Sequence, residues 1–561
     1  MNSLNKKSFN LSLIAVVSSF LISGCSQSSV DSNHSGNEWS LPTNEVPLGQ
    51  PGLKQTVRSE LVSQGVTFYQ IKRGEAGERD FWTVNIGFYT SAQSASTDVA
   101  ALKSAGFTSR LDPSAGKNSR GEVLGYFLSV GKFSSKESAD NEAKVIESKT
   151  RGKLKPKTRN TALAGDVTTG PWIINVLAIK PGQTSTKLVY ALPGGDDLGG
   201  DGETVSAAAN RLGAVAGINA GFFSNINPFK TPLPPRSPVG LTVSHGQVVG
   251  TAAGGRPAVM ISGPEKHQQV EILPALTSEI TLSDSLSNKV KVSSINRPIL
   301  GTVINCGTPA EAPFSKPAHD YVCTNFNDLV VYDALYLHGK SSNTLINKDY
   351  KGESYELVVN ATGVVLDGHE KPGAAAPTGG YVVQGLGNSA AWLKRHSKPG
   401  TKLTLQSHVY SQGKEIKLTP ETSIVESGPS LSVANLLPNA WKEGFSTKLN
   451  GTDEGDSAGT ANDSWYQGWV VGRNGRTAIG VTADKTVLLV EIPGRQPTVS
   501  LGTSIPETAA VMSWLGAKTA MNLDGGGSSN MVVKGQSVGY PSDASGERGV
   551  AGTLMLVPQK P

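Results

Sequence analysis

Thr519-Ala520-Met521-Asn522-Leu523-Asp524-Gly525-Gly526-Gly527-Ser528-Ser529 is the stretch on which the reading of this chain turns. Its short apolar run predicts a strand that ends at a single carboxylate, Asp524, and three glycines and two hydroxyls follow at once. Glycines let backbone approach a ligand closely, and successive N–H groups in a folded loop can form an anion-holding concavity. Asp524 beside them is a candidate acid, base or nucleophile. A structural Gly-rich turn with a capping Asp has the same local sequence, so the surroundings must decide between the two.

Working outward, 506–515 predicts a helix feeding this strand, and 476–484 with 487–492 predicts a hairpin turning around Asp484. Further upstream, 172–179 predicts a buried strand, 204–212 a helix, and 215–223 a strand running into a Gly turn. The expected fold of residues 171–561 is a large α/β, or mixed α+β, catalytic domain. With 64 Gly and 32 Pro in 561 residues and only 17% charged, strands and turns are favoured over helical bundles. Apolar content of 37% suffices for ordinary cores, and the length implies a multidomain chain. A net charge of +5 lacks the dense basic patch that a nucleic-acid partner needs.

Residues 81–150 contain an internal repeat. Val84-Asn85-Ile86-Gly87-Phe88-Tyr89-Thr90-Ser91 precedes Ser94-Ala95, and Leu128-Ser129-Val130-Gly131-Lys132-Phe133-Ser134-Ser135 precedes Ser138-Ala139. Each copy predicts a strand, a Gly turn, a Ser cap and a helix, the helices spanning about 92–105 and 136–148. Ala95, Val99 and Leu102 share one helical face; Ala139, Ala143 and Ile146 share the other's. The duplicated unit resembles the SPOR domain, which implies a small α+β, ferredoxin-like fold and binding of peptidoglycan glycan strands on its sheet. Phe81, Asn85, Tyr126 and Phe127 are candidate contacts, although alternation cannot put all four on one face. Most of residues 25–80, rich in Ser, Asn, Gly and Pro, is expected to be a flexible tether, with enough alternation over 61–71 for one short strand. Residues 151–170, with Lys153, Lys155, Lys157 and Arg159, are expected to be a solvated linker.

The C-terminal motifs occur in a fixed order: Ile218-Asn219-Ala220-Gly221-Phe222-Phe223, Glu426-Ser427-Gly428-Pro429, Arg476-Thr477-Ala478-Ile479-Gly480, the Asn522–Ser529 loop, and Arg548-Gly549-Val550. Together they resemble the phosphodiester glycosidase family over about 170–561. The matching positions imply substrate contacts at Asn219, Gly221, Phe222, Phe223, Thr477, Gly525, Gly526, Gly527, Ser528, Ser529 and Arg548. Arg476 or Arg548, with the loop N–H groups, is expected to stabilise a departing phosphate. Asp524 is the expected catalytic carboxylate, with Glu426 and Glu507 as candidates for a second, since ordinary glycoside hydrolysis uses two. Glu507 also suits the helix N-terminus where it lies. No cofactor is expected, and His338 and His369 lack metal-ligand spacing.

At the N-terminus, Lys6 and Lys7 precede an apolar run ending in Leu21-Ile22-Ser23-Gly24-Cys25. The run is too short to span a bilayer and reads as an export signal over 1–24. Its ending resembles a bacterial lipobox, which implies a diacylated Cys25, a lipid-anchored mature protein and, with Ser26 next and a Gram-negative host, the outer membrane's periplasmic face. The other reading is an uncleaved anchor or a simple signal peptide. Cys306 and Cys323, 17 residues apart, read as a disulfide in an oxidising compartment; a metal pair is the alternative, without CxxC or a nearby His pair in support. The Pro- and Ala-rich segment between them, 308–320, is expected to be an insertion bearing on substrate choice.

The expected protein is therefore an envelope-anchored hydrolase, held on peptidoglycan by its SPOR-like module and cleaving a glycosyl-phosphodiester or related glycan linkage. The alternatives are a non-catalytic peptidoglycan-binding or division-site scaffold, and an exo-glycosidase for non-phosphorylated wall glycan.

Overall fold

Trp172–Ile179 is apolar at nearly every position and buried at all of them, the pattern of a strand covered on both faces. In the computed structural model it lies near the middle of a six-stranded sheet. The strand order is 55–63, 66–73, 172–179, 487–492, 476–482, 517–522, antiparallel throughout. The structure describes residues 38–559 apart from 78, 116, 118–120, 166, 181, 196–197, 199, 225–235, 307–321, 338–344, 433–435 and 446–465. The export signal, Cys25, the whole 308–320 segment and His338 fall outside the described residues.

A second sheet, in the order 536–537, 531–533, 216–219, 553–558, 186–191, is also antiparallel. The two sheets share a core that includes Phe68, Leu177, Leu188, Ile218, Ile479, Leu489, Met521 and Leu554. Helix Ile505–Trp514 shares a second core with Ala478, Leu488 and Val490. Helix Val205–Leu212 packs with Val532 and Met555 of the second sheet. The layers therefore run helix, sheet, sheet, helix. Each helix has a local reason to start where it does. Ser504 and Glu507 form a capping box, and the Thr204 side chain accepts from Ala207 N.

Of the two expected readings, α/β and mixed α+β, this pairing favours the second: the strands of both sheets are antiparallel. Among the described strands, only Ser294–Ile295 with Leu329–Asp333 is parallel. Between the two halves of the sandwich, residues 242–426 build four further described sheets, and the three larger ones share a core that includes Leu241, Leu276, Ile280, Leu329, Val331, Leu357 and Ile424.

The tether expectation for 25–80 fails over its described part. Gln55–Ser63 and Val66–Arg73 are the first two strands of the central sheet. An edge strand obtains its pairing from backbone bonds, so six consecutive exposed positions in Gln55–Ser63 do not prevent it from forming. Val66, Phe68 and Ile71 are enough to anchor the next strand. Arg73, 2% exposed, donates to Leu48 O at 2.7 Å and Gln50 O at 2.9 Å and pairs with Glu45 at 3.0 Å, fastening the preceding segment.

Residues 82–160 run strand, helix, strand, strand, helix, strand. Their sheet order is 109–113, 126–133, 82–89, 157–160, the ferredoxin-like arrangement. Ala95, Leu102, Ala139 and Ile146 face its core. Of the two expected Ser caps, Ser135 forms and the first helix has none; there Ser91 and Ser94 bond to each other. The linker expectation for 151–170 is also corrected, because Lys157–Asn160 is the fourth strand. Arg159 is buried over Phe127, pairing with Asp112 at 2.6 Å and Ser129 at 2.9 Å. The carboxylate of Asp112, brought in from strand 109–113 of the same sheet, is what makes that burial tolerable.

Candidate active site

The strand Ala517–Asn522 delivers Asp524 to a junction between the two sheets. Leu523 N donates to Thr477 O at 2.8 Å and Asp524 N to Ala220 O at 2.9 Å, so each sheet holds one side of the turn. Asn219, fully buried, ties the junction together. Its Nδ2 donates to Asp524 O at 2.8 Å, while its Oδ1 accepts from Thr477 Oγ1 at 2.7 Å and Asn530 N at 3.2 Å. Asn219 and Thr477, expected to touch substrate, instead position the loop, because their polar atoms already have protein partners.

The loop's amides are likewise engaged within the protein. Gly525 N donates to Asp524 Oδ1 at 2.8 Å, Gly526 N to Gly475 O at 2.8 Å, and Ser528 N to Gly525 O at 3.2 Å. The expected nest of free N–H groups is therefore mostly closed, and anion binding falls to side chains. Two guanidiniums supply it. Arg548, partly exposed, donates to Ser528 Oγ at 3.3 Å and pairs with Asp543 at 2.7 Å. A Cβ on Gly527 would collide with that pair, which is the physical reason for glycine there. Arg495, an exposed residue just after strand Val487–Ile492, has its Nη2 3.0 Å from where a Gly526 Cβ would sit. Its Nε donates to Asn474 Oδ1 at 2.6 Å, and it has no carboxylate within ion-pair distance among the described residues.

Asp524 is half-buried. Desolvation pushes its carboxyl up to about 6, opposed by the Ser528 hydroxyl, the Gly525 N–H, Arg548 and Arg495. A carboxyl in that range is suited to proton transfer near neutrality. Arg495 and Asn474 were missed from sequence; the available signal was a Gly-Arg turn directly after a strand, parallel to the Arg548-Gly549 pair.

Other expected site residues lie elsewhere. Arg476, expected at the phosphate, is 1% exposed and donates to Thr503 O at 2.8 Å, Gly472 O at 3.1 Å and Trp469 O, and it stacks on Trp469. It braces the wall because its guanidinium is enclosed by carbonyls, and burial pushes its pKa down to about 9. Glu507 completes its helix cap and pairs with Arg473 at 2.6 Å. Glu426 is 2% exposed and accepts from Leu241 N at 2.8 Å and Ala253 N at 3.1 Å. Burial raises it to about 7 against the pull of Arg256. Both acids are thus engaged by protein partners, Glu507 by its helix cap and Arg473 and Glu426 by two backbone amides. Phe222 is buried with Phe445 and Trp469. Phe223 is half-buried beneath Arg236, and Gly221 abuts Val425 and the Glu426 carbonyl. Ser529 is buried. Cys306 and Cys323 are joined, with Cα atoms 6.0 Å apart.

Two cavities stand out. One of about 360 Å³, lined by Ile179, Leu188, Val487 and His267 among others, lies at the end of the central sheet opposite Asp524, since Ile179 pairs with Val487 while Thr477 pairs with Glu491. The other, about 310 Å³, includes Ser224, Ser237, Asn305 and Cys306 in its lining.

In the ferredoxin-like unit, Asn85 and Phe127 are buried while Phe81 and Tyr126 are half-buried. Arg110 and Lys132 both lie 5.0 Å from the Phe81 ring.

Fold and site together define a two-part class. Residues 78–157 match the SPOR domain, and residues 353–557 match the phosphodiester glycosidase family. The chain belongs to the same family as a Burkholderia pseudomallei K96243 protein described as exported, with 54% identity, a TM-score of 0.83, and coverage of 93% of this chain and all of that one. A hypothetical protein from Synechocystis is similar at 16% identity over 91% of this chain and 82% of its own, with a TM-score of 0.49. The catalytic domain of zebrafish N-acetylglucosamine-1-phosphodiester alpha-N-acetylglucosaminidase aligns at 12% identity over 72% of this chain and 79% of its own, with a TM-score of 0.29. No curated protein matches the chain.

Proposed function

We propose that this protein is a cell-envelope glycoside hydrolase that cleaves a glycosyl-phosphodiester or closely related linkage, with its SPOR domain holding it on peptidoglycan. One observation carries the catalytic reading: at the head of the triple-Gly loop sits a half-buried carboxyl of raised pKa, Asp524, which feels the charges of two guanidiniums, Arg548 and Arg495. Asp524 in its ionised form takes the proton of a water attacking the anomeric carbon. The carbon–oxygen bond to phosphate breaks, and the phosphate monoester departs with a negative charge that Arg548 and Arg495 stabilise. Phosphate leaves without strong acid assistance, which suits a site whose other candidate acids, Glu426 and Glu507, are engaged by protein partners.

The test is turnover of sugar-1-phosphodiester and plain glycoside substrates by the purified protein, beside Asp524→Asn. Turnover of the phosphodiester by wild type alone is expected. Activity on plain glycosides only would remove the phosphate claim, and no turnover on any substrate would favour the scaffold reading.

The SPOR match and the exported relative support an envelope location. Lipid attachment at Cys25 extends that reading: labelled palmitate should enter the wild-type protein and not Cys25→Ser. Among the described residues no helix is long and apolar enough to cross a membrane. For the SPOR domain, Phe81 with Arg110 and Lys132 is the accessible aromatic and basic cluster for a glycan. Phe81→Ala should weaken co-sedimentation with peptidoglycan stripped of stem peptides.

A further inference from the structure

The first strand of the central sheet, Gln55–Ser63, has one long outer edge. Its inner side pairs with Val66–Arg73, and among the described residues no other strand or bridge meets its outer side. The outward N–H and C=O groups of such a strand are a template for another chain, and proteins normally blunt them with repelling charges, proline or a bulge. Here the stretch contains no proline, and its one register shift comes only after Leu61. All six positions from Thr56 to Leu61 are exposed, with Val57 at 47% and Leu61 at 66%.

The side chains along this edge are complementary to themselves. Ser59 stands at the centre, flanked by Arg58 and Glu60, with Val57 and Leu61 one position further out. Side chains alternate between the two faces of a strand, so the two charges share one face and the two apolar groups the other. If an identical strand lies antiparallel about a two-fold axis at Ser59, Arg58 falls opposite Glu60 of the partner subunit. Val57 then falls opposite Leu61 of the partner subunit, and each contact occurs twice because both copies present the same patch. Opposed unlike charges and apolar pairs stabilise antiparallel strands, whereas opposed like charges destabilise them. A single sign along the edge keeps copies apart; one of each sign, equidistant from the centre, draws them together. The contacts within the chain leave both groups at the surface. Glu60 pairs with Lys534 at 2.6 Å with both side chains about half-exposed, and Arg58 lies 5.6 Å over the Phe68 ring. Strand Ala517–Asn522, which leads to Asp524, forms the opposite end of the same sheet, so this edge is remote from the candidate active site.

We infer that Gln55–Ser63 is a self-association surface, to which a second copy of this chain adds its own Gln55–Ser63 strand about a two-fold axis at Ser59. Main-chain hydrogen bonds join the two central sheets into one, and the Arg58–Glu60 and Val57–Leu61 contacts set the register. The inference does not depend on the glycosidase reading.

The test uses the full-length protein in a mild detergent, followed by sedimentation velocity and by disulfide trapping. Wild type should dimerise reversibly. Arg58→Glu sets like charges opposite each other twice and should weaken dimerisation by about tenfold or more. Arg58→Glu/Glu60→Arg restores the complementary pattern and should recover the dimer. These side chains are exposed, so the melting temperatures should stay close to that of wild type. In the trap, Ser59→Cys lies opposite its own copy and should give a covalent dimer on oxidation, because opposed Cα atoms of antiparallel strands are within disulfide reach. Val57→Cys is offset from its own copy by four residues, about 13 Å along the strands, and should give none. A monomeric wild type would overturn the inference, whether another segment covers the edge or nothing does. So would a dimer indifferent to Arg58→Glu, one that the double variant fails to restore, or equal trapping at positions 59 and 57.

Discussion

Asn474 Oδ1 accepts the Arg495 Nε–H at 2.6 Å, and this bond lies in a three-residue bridge between the segment that follows the SPOR domain and the triple-Gly loop. On one side, Arg473 donates to Ala162 O at 2.7 Å and Gly165 O at 2.9 Å. On the other, Gly475 O accepts Gly526 N at 2.8 Å. Arg495 should therefore be catalytic for a phosphate leaving group, with Asn474 positioning it. Arg495→Ala is expected to lower kcat/KM on a sugar phosphodiester by about 10²–10³, with little change in melting temperature because the residue is exposed. Asn474→Ala should cost less, about tenfold. Steady-state kinetics check both, and equal activity in Arg495→Ala would leave Arg548 as the sole anion partner.

The pH profile should show Asp524 directly. Desolvation raises its carboxyl to about 6, so the ionised base accumulates as pH rises through that value. The acidic limb of kcat/KM is expected there, with activity increasing upward. Asp524→Asn should abolish turnover and, with a half-buried isosteric side chain, preserve the fold. A limb falling with pH through about 6 would instead assign Asp524 as an acid.

Arg476→Ala should be a stability mutant. It strands the Thr503, Gly472 and Trp469 carbonyls that the guanidinium now satisfies. Unmade buried bonds of this kind cost about 1–3 kcal/mol each. A large fall in denaturation midpoint is expected; a stable but inactive variant would return Arg476 to the anion site.

Glu491 should make stability pH-dependent. It is fully buried, accepts from Asn175 Nδ2 at 2.7 Å, and desolvation raises it to about 8. A carboxyl raised above its unfolded value binds its proton more tightly in the folded state, so its contribution is complete below about 4.5 and lost as pH rises through about 8. Gln does not titrate. The melting temperature of Glu491→Gln relative to wild type should therefore climb between pH 5 and pH 9, and a flat difference would contradict the assignment.

Removing 39–73 should prevent folding of the remaining chain. The deletion takes two strands from the central sheet and exposes Trp172–Ile179 along one edge. Soluble, cooperatively melting protein after this truncation would show that the segment is dispensable.

Local patterns carried much of the fold. The period-2 and period-3.6 repeats in 82–149 mark two strands and two helices, and the Ser504–Glu507 capping box marks where helix Ile505–Trp514 begins. Strand Gln55–Ser63 escaped notice because edge pairing uses backbone atoms, which composition does not report. Arg159 looked like a linker charge because its partner, Asp112, lies 47 residues away. The same difficulty affects the site: Arg476 and Arg495 are the same residue type near strand ends, and nothing within a few positions of either says which is enclosed.

The sequence alone determined the loop at Asn522–Ser529, the carboxylate at its head and the strand leading into it, since these depend on neighbours along the chain. Tertiary structure decided which charges face solvent around that loop. It closed most of the loop's amides on Gly475 and Gly525, sealed Arg476 behind carbonyls, and left Arg548 and Arg495 beside Asp524. Burial and pairing are properties of segments brought together from distant parts of the chain, and they set whether a charge braces a wall or meets a ligand.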